Sequence, residues 1–436
     1  MSSFSASLAS TAAKPAVSFR RAGNIVLCAF FLSGAAGLIH EVVWTRLLRL
    51  VMGNTAFSIT TVLCAFMGGL ALGSFLGGRF VDRRSDPLRV FAFLEGTIAV
   101  YCFLLPWLIQ SVEPLYRLIY QNTHTSFYLF SLIRFVFTGT LLLIPATFMG
   151  ATLPVLARFF VRSLDRVGHP VGVLYSVNTF GAVLGGATAG FFLIPHLGVT
   201  ATIWTASLFN ALVAATAFWL HRSVDAGVEE APAAPQERRE KPGDGAETKK
   251  RKKGKQAASA TATPGPISYG HDQMRFLLIG YGVSGFAALV YEIAWTRALS
   301  LLIGSSVYAF SMILTAFVLG IALGSMVYAR FVDRVRDPLR NLAIIQAAIA
   351  LTALPVIPFI GNLPFWVTGL ISLFGGSFWK LQAVEFAMIV AIMLLPTTLM
   401  GAAFPLASRL FVQTSATVGK SVGTLYASNT IGNILG

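Results

Sequence analysis

The chain contains one long sequence pattern twice, and the two copies lie 251 residues apart. Residues 33–46 read SGAAGLIHEVVWTR, and residues 284–297 read SGFAALVYEIAWTR. The same offset holds downstream, since 28 of 57 positions are identical between residues 33–89 and residues 284–340 without a gap. Two stretches this similar must fold alike, so the duplication constrains the chain to a tandem arrangement of one structural unit.

Composition places both units in a lipid bilayer. Of the 436 residues, 55% are hydrophobic and 12% are charged, and the mean hydropathy is +0.72. A transmembrane helix needs about 20 mostly apolar residues. Such segments lie at residues 24–45, 55–80, 88–110, 127–158, 171–194, 199–221, 275–296, 306–331, 339–360 and 378–409, and an eleventh begins near Val422. We therefore predict an all-α polytopic membrane protein with about ten full helices plus part of an eleventh, its second unit being incomplete.

The net charge of +15 admits two interpretations, which are nucleic-acid binding and the retention of basic loops on one side of a membrane. The second is favoured because most basic residues outside the central linker cluster at helix ends that face the same side. They are Lys14, Arg20, Arg21, Arg79, Arg83, Arg84, Arg89, Arg158, Arg162, Arg166, Arg330, Arg334, Arg336, Arg340, Arg409 and Lys420. We expect a bacterial cytoplasmic (inner) membrane protein with a cytoplasmic N-terminus and central linker, and no nucleic-acid partner.

Changes in composition set the domain boundaries. We predict a disordered cytoplasmic tail at 1–23, a six-helix unit at 24–221, a disordered basic cytoplasmic linker at 222–274 and a second unit at 275–436. Because six is even, both units enter the membrane in the same direction, and an axis along the membrane normal relates them. The linker run from Lys249 to Lys255 is expected to attract anionic lipid headgroups. Gly436 corresponds to Gly185 in the middle of helix five, so either the chain is truncated or a partner protein completes the fold.

Two further patterns point away from cofactor chemistry. Cys28, Cys64 and Cys102 lie in apolar segments without a CxxC pattern, so we expect no disulfide and no metal site. A GxGxxG sequence at residues 280–285 lies within an apolar helix, whereas a phosphate-binding turn must follow a strand. We therefore expect no cofactor.

The motif RFVDR follows the second helix of each unit, at residues 79–83 and 330–334. At a helix end the basic side chains can satisfy terminal carbonyl groups, and the aspartate can pair with a neighbouring helix. Together with the duplicated six-helix unit, this motif resembles the major facilitator superfamily, which carries a GxxxDR signature in these loops. The resemblance implies a cytoplasmic gating loop formed by Arg79, Asp82, Arg83, Arg330, Asp333 and Arg334.

Small residues recur at every fourth position on four helices, a spacing that lets helix backbones approach closely in lipid. The glycines are Gly69, Gly73 and Gly77 on helix two, Gly181 and Gly185 on helix five, Gly320 and Gly324 on helix eight, and Gly432 and Gly436 on helix eleven. In the superfamily that the chain resembles, helix two packs on helix eleven and helix five on helix eight. We expect the same contacts between the two units here.

Ionisable residues inside apolar helices carry most of the functional information. They are Glu41 and Arg46 on helix one, Glu95 on helix three, Arg134 on helix four, Glu292 and Arg297 on helix seven, and Glu385 on helix ten. Under the resemblance, helices one, four, seven and ten line a central cavity. Glu41 and Arg46 are five residues apart, about 140° around the helix, and are poor partners for each other.

We therefore expect crosswise pairs, with Glu41 facing Arg297 or Arg134 and Glu292 facing Arg46. Two roles for this network stay open, one being substrate binding or proton relay and the other being a lock between the two halves. No catalytic residue is assigned. Among the flanking residues, Trp44 and Trp295 are expected to anchor their helices at the membrane interface.

A narrower resemblance rests on EVVWTR at residues 41–46 and on the pattern YxxNTxG at residues 175–181 and 426–432. The chain resembles the membrane-embedded spermidine-synthase-like proteins, in which a major-facilitator-type membrane region is fused to a spermidine synthase domain. In that family a soluble domain transfers the aminopropyl group. This chain shows no alternating strand–helix stretch of that kind, so we expect no aminopropyltransferase activity from it alone. Two functions stay open: transport of a small polar or cationic solute such as a polyamine, or a non-transporting scaffold that anchors or completes a partner protein.

Overall fold

A computed structural model of the chain describes residues 18–52, 56–122, 127–228, 270–304, 306–374 and 376–436. Every regular element in these ranges is helical. The first unit comprises α1 (Phe19–Met52), α2 (Ala56–Val81), α3 (Pro87–Asn122), α4 (Phe127–Phe160), α5 (Gly168–Thr188) and α6 (Ile194–Val228). The second unit comprises α7 (His271–Ile303), α8 (Val307–Ala329), α9 (Pro338–Ala353), α10 (Val356–Phe374), α11 (Phe378–Phe411) and α12 (Val418–Leu435).

These helices have the length and composition of membrane-spanning segments. Within the described ranges, nine helical stretches are long and apolar enough to cross a bilayer. Two of these stretches each join consecutive helices, since Gly168–Ser223 contains α5 with most of α6, and Pro338–Phe374 contains α9 and α10. The predicted all-α polytopic membrane fold is confirmed.

Several boundaries differ from the predicted ones. The helix α1 begins at Phe19 rather than at residue 24, and α6 continues to Val228 rather than ending at residue 221. The predicted ninth helix is divided into α9 and α10, because Pro355 lacks the backbone N–H that would continue α9. Residues 1–17 and 229–269, which include the run from Lys249 to Lys255, lie outside the described residues.

The duplication is visible in the helix arrangement. With the offset of 251 residues, α1, α2, α4 and α5 correspond to α7, α8, α11 and α12, and α3 corresponds to α9 with α10. Between the units, α2 packs on α12 and α5 packs on α8, as predicted. Gly78 and Gly423 let α2 and α12 approach closely, because an added Cβ at either glycine would overlap the opposing backbone.

The predicted glycine stripes face helices of their own unit rather than the partner unit. Gly73 of α2 lies against α4, and Gly324 of α8 lies against α11. Gly181 of α5 lies against α1, and Gly432 of α12 lies against α7. At each position an added Cβ would overlap a backbone carbonyl group of the neighbouring helix, so these four contacts need glycine.

The largest group of buried apolar side chains joins the two units. It includes Val81, Val167, Val332 and Val418, which lie where the RFVDR motifs follow α2 and α8. We call this end of the bundle, marked by residues 79–84 and 330–336, the loop end. Because both units contribute to one buried group, removal of its apolar surface from water or lipid contact favours their association at the loop end.

Candidate functional site

A cavity of about 230 Å³ lies between the two units. Its lining residues come from α1, α2 and α5 of the first unit and from α7, α8, α11 and α12 of the second. Many of them are pairs related by the 251-residue offset: Leu38 and Leu289, Glu41 and Glu292, Phe66 and Phe317, Tyr175 and Tyr426, Asn178 and Asn429, and Thr179 and Thr430. The cavity therefore lies on the approximate twofold axis that relates the units.

The two glutamates are the acidic groups of this cavity. Glu41 on α1 is buried, with 7% of its surface exposed, and Glu292 on α7 is half-buried. Both side chains line the same space, and no arginine or lysine belongs to the described lining. An ionised carboxylate accepts hydrogen bonds only, so the site is suited to a ligand that brings positive charge and donors.

Of the expected crosswise ion pairs, those that involve Arg46 and Arg297 are not formed, and the pair of Glu41 with Arg134 lies outside the described residues. In the described part of the chain, no ion pair joins Glu41 or Glu292 to Arg46 or Arg297. Both arginine side chains are exposed, whereas the glutamates face the cavity. The five-residue spacing accounts for this difference, because it places each arginine about 7.5 Å further along its helix and on another face.

The two other predicted charges are not brought into the cavity by described contacts. Glu385 is buried in α11 and accepts a hydrogen bond from the Gln382 side-chain amide at 2.9 Å. It does not belong to the cavity lining. The side chain of Arg134 lies outside the described residues. Among described residues, no group of three or more His, Cys, Asp or Glu side chains is placed to hold a metal ion.

The polar wall of the cavity comes from the repeated YxxNTxG segments on α5 and α12. The Asn178 side-chain amide donates to the Phe30 carbonyl oxygen at 3.1 Å, and that of Asn429 donates equivalently to the Tyr281 carbonyl oxygen at 3.1 Å. These bonds fix both asparagines while leaving their own side-chain oxygens as acceptors. The buried Asn433 side-chain oxygen has no hydrogen-bond partner within the described chain. The repeat of this motif was the sequence signal for these wall residues.

Aromatic rings add a second kind of cation-binding surface. The Tyr175 and Phe404 ring centroids lie 4.5 Å apart, and those of Phe404 and Tyr426 lie 6.0 Å apart. All three residues line the cavity. Because an aromatic face carries partial negative charge, this group can stabilise a cation that enters the cavity.

The residues beside the glutamates lie inside the bundle rather than at the membrane interface. Trp44 and Trp295 are 0% and 4% exposed, so their predicted role as interface anchors is wrong. Both α1 and α7 continue for eight residues beyond their tryptophan, about 12 Å, which places the indole rings deep in the bundle. The His40 ring stacks on Trp44, with centroids 5.3 Å apart, and is turned away from the cavity.

The loop motifs connect the two units at the loop end. Asp82 accepts hydrogen bonds from the backbone N–H groups of Gly419 at 2.9 Å and Lys420 at 2.7 Å, near the start of α12. Asp333 makes the equivalent bonds to the first two N–H groups of α5, at 2.9 and 3.0 Å. Each aspartate thus caps the N-terminus of a helix in the other unit. We call these two sets of bonds the aspartate latches.

In the described contacts, the arginines of the same motifs do not cross between the units. Arg79 donates to the Phe75 carbonyl oxygen of its own helix at 2.9 Å, which satisfies a terminal carbonyl as expected. Arg83, Arg330 and Arg334 have exposed side chains. Among the charged side chains of each motif, the aspartate therefore makes the described hydrogen bonds between the units.

Comparisons with known proteins give distant relatives. No protein-family model matches the chain. Polyamine aminopropyltransferase 1 of Streptomyces coelicolor is 25% identical over 194 residues, which are 44% of this chain and 33% of that protein. Polyamine aminopropyltransferase of Oceanobacillus iheyensis is 23% identical over 207 residues, which are 46% of this chain and 36% of that protein. The match thus spans about a third of each relative's length.

Comparison with solved structures gives distant matches at low identity. A bacterial homologue of the iron transporter ferroportin, in an outward-facing state, gives a TM-score of 0.49 at 13% identity, with 94% of this chain and 90% of that chain covered. The major facilitator superfamily proton:xylose symporter XylE gives 0.49 at 13% identity, covering 94% and 86%. The human organic anion transporter MFSD10 gives 0.48 at 13% identity, covering 95% and 92%.

Proposed function

We propose that the chain is the membrane region of a transporter and that the cavity between its units binds a small organic cation of the polyamine class. One observation carries this proposal. Glu41 from the first unit and Glu292 from the second line a single cavity whose described lining contains no basic side chain. A solute with two or more ammonium groups would supply both the missing positive charge and the hydrogen-bond donors.

The remaining wall supports the same class of ligand. The unpartnered Asn433 side-chain oxygen can accept a hydrogen bond from an ammonium group. The rings of Tyr175 and Tyr426 offer cation–π contacts, and Leu38 and Leu289 offer apolar surface to methylene groups. The names of the two curated relatives refer to polyamines, which favours this class of cation over others.

The loop end is proposed to face the cytoplasm of a bacterial inner membrane. The basic residues that cluster at this end support that orientation under the positive-inside rule. The aspartate latches close the bundle there, so their release would open the cavity to the cytoplasm, which is the gating role proposed for the RFVDR loops. The run from Lys249 to Lys255 would then meet anionic lipid headgroups.

Spermidine should raise the thermal unfolding midpoint of the purified protein in detergent. A ligand that binds only the folded state stabilises it by about 2.7 kcal/mol when present at about 100 times its Kd. Glucose and citrate at matched ionic strength are the neutral and anionic controls, and they should leave the midpoint unchanged. Proteoliposomes should also take up radiolabelled spermidine. An unchanged midpoint with both spermidine and putrescine, at every concentration tested, contradicts the proposal.

A second candidate function is a membrane scaffold, which predicts a partner protein on one face of α7. In the first unit, α6 packs on α1 and on α3, and Ile39 and Val42 of α1 are 0% and 2% exposed. Their counterparts on α7, Val290 and Ile293, are each 39% exposed. A helix from a partner protein, such as a separately encoded synthase or a larger membrane complex, would cover this face in the way that α6 covers α1.

Cysteine crosslinking in native membranes separates the two functions. A scaffold predicts that Ile293→Cys, labelled with a photoreactive thiol reagent, crosslinks to one membrane partner, whereas a cysteine labelled in the same way at Phe365, which is 77% exposed, does not. It also predicts that no polyamine shifts the unfolding midpoint. Stabilisation by spermidine with no crosslinked partner leaves the transporter as the function.

A further inference from the structure

A fully buried carboxyl group lies apart from the central cavity. Glu95 on α3 is 0% exposed and does not belong to the lining of the 230 Å³ cavity. Ser33 Oγ of α1 donates to Glu95 Oε1 at 2.5 Å, and the Asn210 side-chain amide of α6 donates to Glu95 Oε2 at 2.8 Å. Three helices of the first unit therefore meet at this carboxyl group.

Among the side chains that the structure describes, no basic group compensates a charge at Glu95. Within the described residues, Glu95 forms no ion pair. The other ionisable groups near it are Cys102 on α3 and His40 on α1, and the His40 ring reaches Asn210 at 3.3 Å rather than the carboxyl group. On α4, which packs on α3, Arg158 lies at the loop end, and the side chain of Arg134 lies outside the described residues. An ionised Glu95 would be an uncompensated charge inside the bundle.

The hydrogen-bond partners of Glu95 suit both of its protonation states. A serine hydroxyl can donate to a carboxylate and can equally accept from a carboxylic acid. The Asn210 amide donates to the second oxygen in either state. Proton gain and loss at Glu95 therefore require only a rotation of the Ser33 hydroxyl and no movement of a helix.

Ser33 connects this carboxyl group to the functional site. A second cavity of about 160 Å³ is lined by Ser33 and by Glu41. It shares Glu41, Tyr175, Asn178 and Tyr426 with the 230 Å³ cavity, so the two spaces adjoin. Gly34 and Gly37 also line it and place no side chain in the space between Ser33 and Glu41.

The second unit offers an internal comparison. Gln346 occupies the position that corresponds to Glu95, and Ser284 Oγ donates to Gln346 Oε1 at 3.0 Å. The serine, its helix and the direction of the bond are repeated. The acid is replaced by an amide, which does not release a proton near neutral pH. The second unit therefore accommodates glutamine at this position, and of the two equivalent positions only the one in the first unit can exchange a proton.

We propose that Glu95 is a proton-binding site that exchanges its proton with the cavity through the Ser33 hydroxyl. On release, the Glu95 carboxylic acid gives its proton to Ser33 Oγ, while Ser33 passes its own hydroxyl proton to a water molecule in the cavity. The products are the Glu95 carboxylate, an unchanged serine and a hydronium ion. Uptake follows the same steps in reverse, and Ser33 acts as a positioning and relay residue.

Infrared titration of the purified protein in detergent, without any solute, tests this proposal. Between about pH 5 and about pH 9, the wild-type protein should lose a carboxylic acid C=O band as the pH rises. That band should be absent from the spectrum of the Glu95→Gln variant, which has the same side chain as the equivalent Gln346. A spectrum in which Glu95→Gln and wild type do not differ at any pH overturns the proposal, because Glu95 would then hold no exchangeable proton.

The relay through Ser33 has its own readout. After transfer into D₂O, exchange of the Glu95 carboxyl proton should slow by roughly 100-fold in Ser33→Ala and recover in Ser33→Thr. Ser284→Ala is the matched control and should leave the exchange rate unchanged. Equal exchange rates of the Glu95 proton in Ser33→Ala and wild type overturn the relay. All proteins in this series keep Glu95. Since no polyamine is present, these results are independent of whether spermidine binds.

Discussion

Replacing Glu41 and Glu292 together by glutamine should eliminate spermidine-dependent stabilisation of the protein. Each carboxylate can make charge-assisted hydrogen bonds worth about 1.5–3 kcal/mol, so each single replacement should weaken spermidine binding roughly 10- to 150-fold. The double variant should bind spermidine too weakly to be detected. Thermal unfolding at a series of spermidine concentrations gives the apparent Kd of each variant. Because the two glutamates lie at equivalent positions in one cavity, the two single variants should lose affinity to a similar degree.

Glu385→Gln is the matched control for this series. Glu385 is buried in a membrane helix like the cavity glutamates, but it pairs with Gln382 and does not line the cavity. Its replacement should leave the apparent Kd within about twofold of wild type, since no ligand contact is removed. If the two cavity variants retain wild-type affinity, or if Glu385→Gln weakens binding equally, the cavity is not the binding site.

Gly181→Ala should destabilise the folded protein by about 3 kcal/mol or more, because its new methyl group would overlap the Phe31 carbonyl group of α1. Gly432→Ala should act in the same way against Gly282 of α7. These helix pairs cannot separate without breaking the wall that carries the YxxNTxG residues. The expected result is a lower unfolding midpoint in detergent and a smaller yield of monodisperse protein.

Gly280→Ala on α7 tests whether this loss is due to close packing. An added Cβ at Gly280 meets no atom within 4 Å, so the helix should gain up to about 1 kcal/mol from the reduced backbone freedom of alanine. A Gly181→Ala protein as stable as wild type would show that α1 and α5 are further apart than the structure places them. Equal losses at Gly181 and Gly280 would indicate a general sensitivity to substitution.

The duplication predicted the fold well, because an offset of 251 residues fixes the helix order in one unit once it is known in the other. The contacts of α2 with α12 and of α5 with α8 were predicted through the family resemblance. The helix that each glycine stripe faces was not predicted, because a four-residue spacing indicates a close contact but does not identify the neighbouring helix. Gly73 could lie against α4 or α12 on sequence grounds, and packing selects α4.

The candidate site was predicted only in part. Glu41 and Glu292 were identified because charged residues are rare inside apolar helices, and both line the cavity. It could not predict that Arg46 and Arg297 would be exposed, because their solvation depends on the surface of the assembled bundle. Neutral residues of the cavity wall, such as Asn178, are common enough in membrane helices that their presence does not mark a site. Their repeat on α5 and α12 was visible, but its orientation toward the cavity depends on tertiary packing.

The aspartate latches also describe what a single unit could do by itself. Asp82 caps α12 at Gly419, Asp333 caps α5 at Gly168, and these two glycines occupy corresponding positions. In a pair of identical six-helix units, Asp82 of each copy would face Gly168 of the other, which is the isologous contact of a twofold homodimer. The tandem chain is thus a covalently joined dimer. Joining the copies allows Glu95 and Gln346 to differ while both latches stay the same.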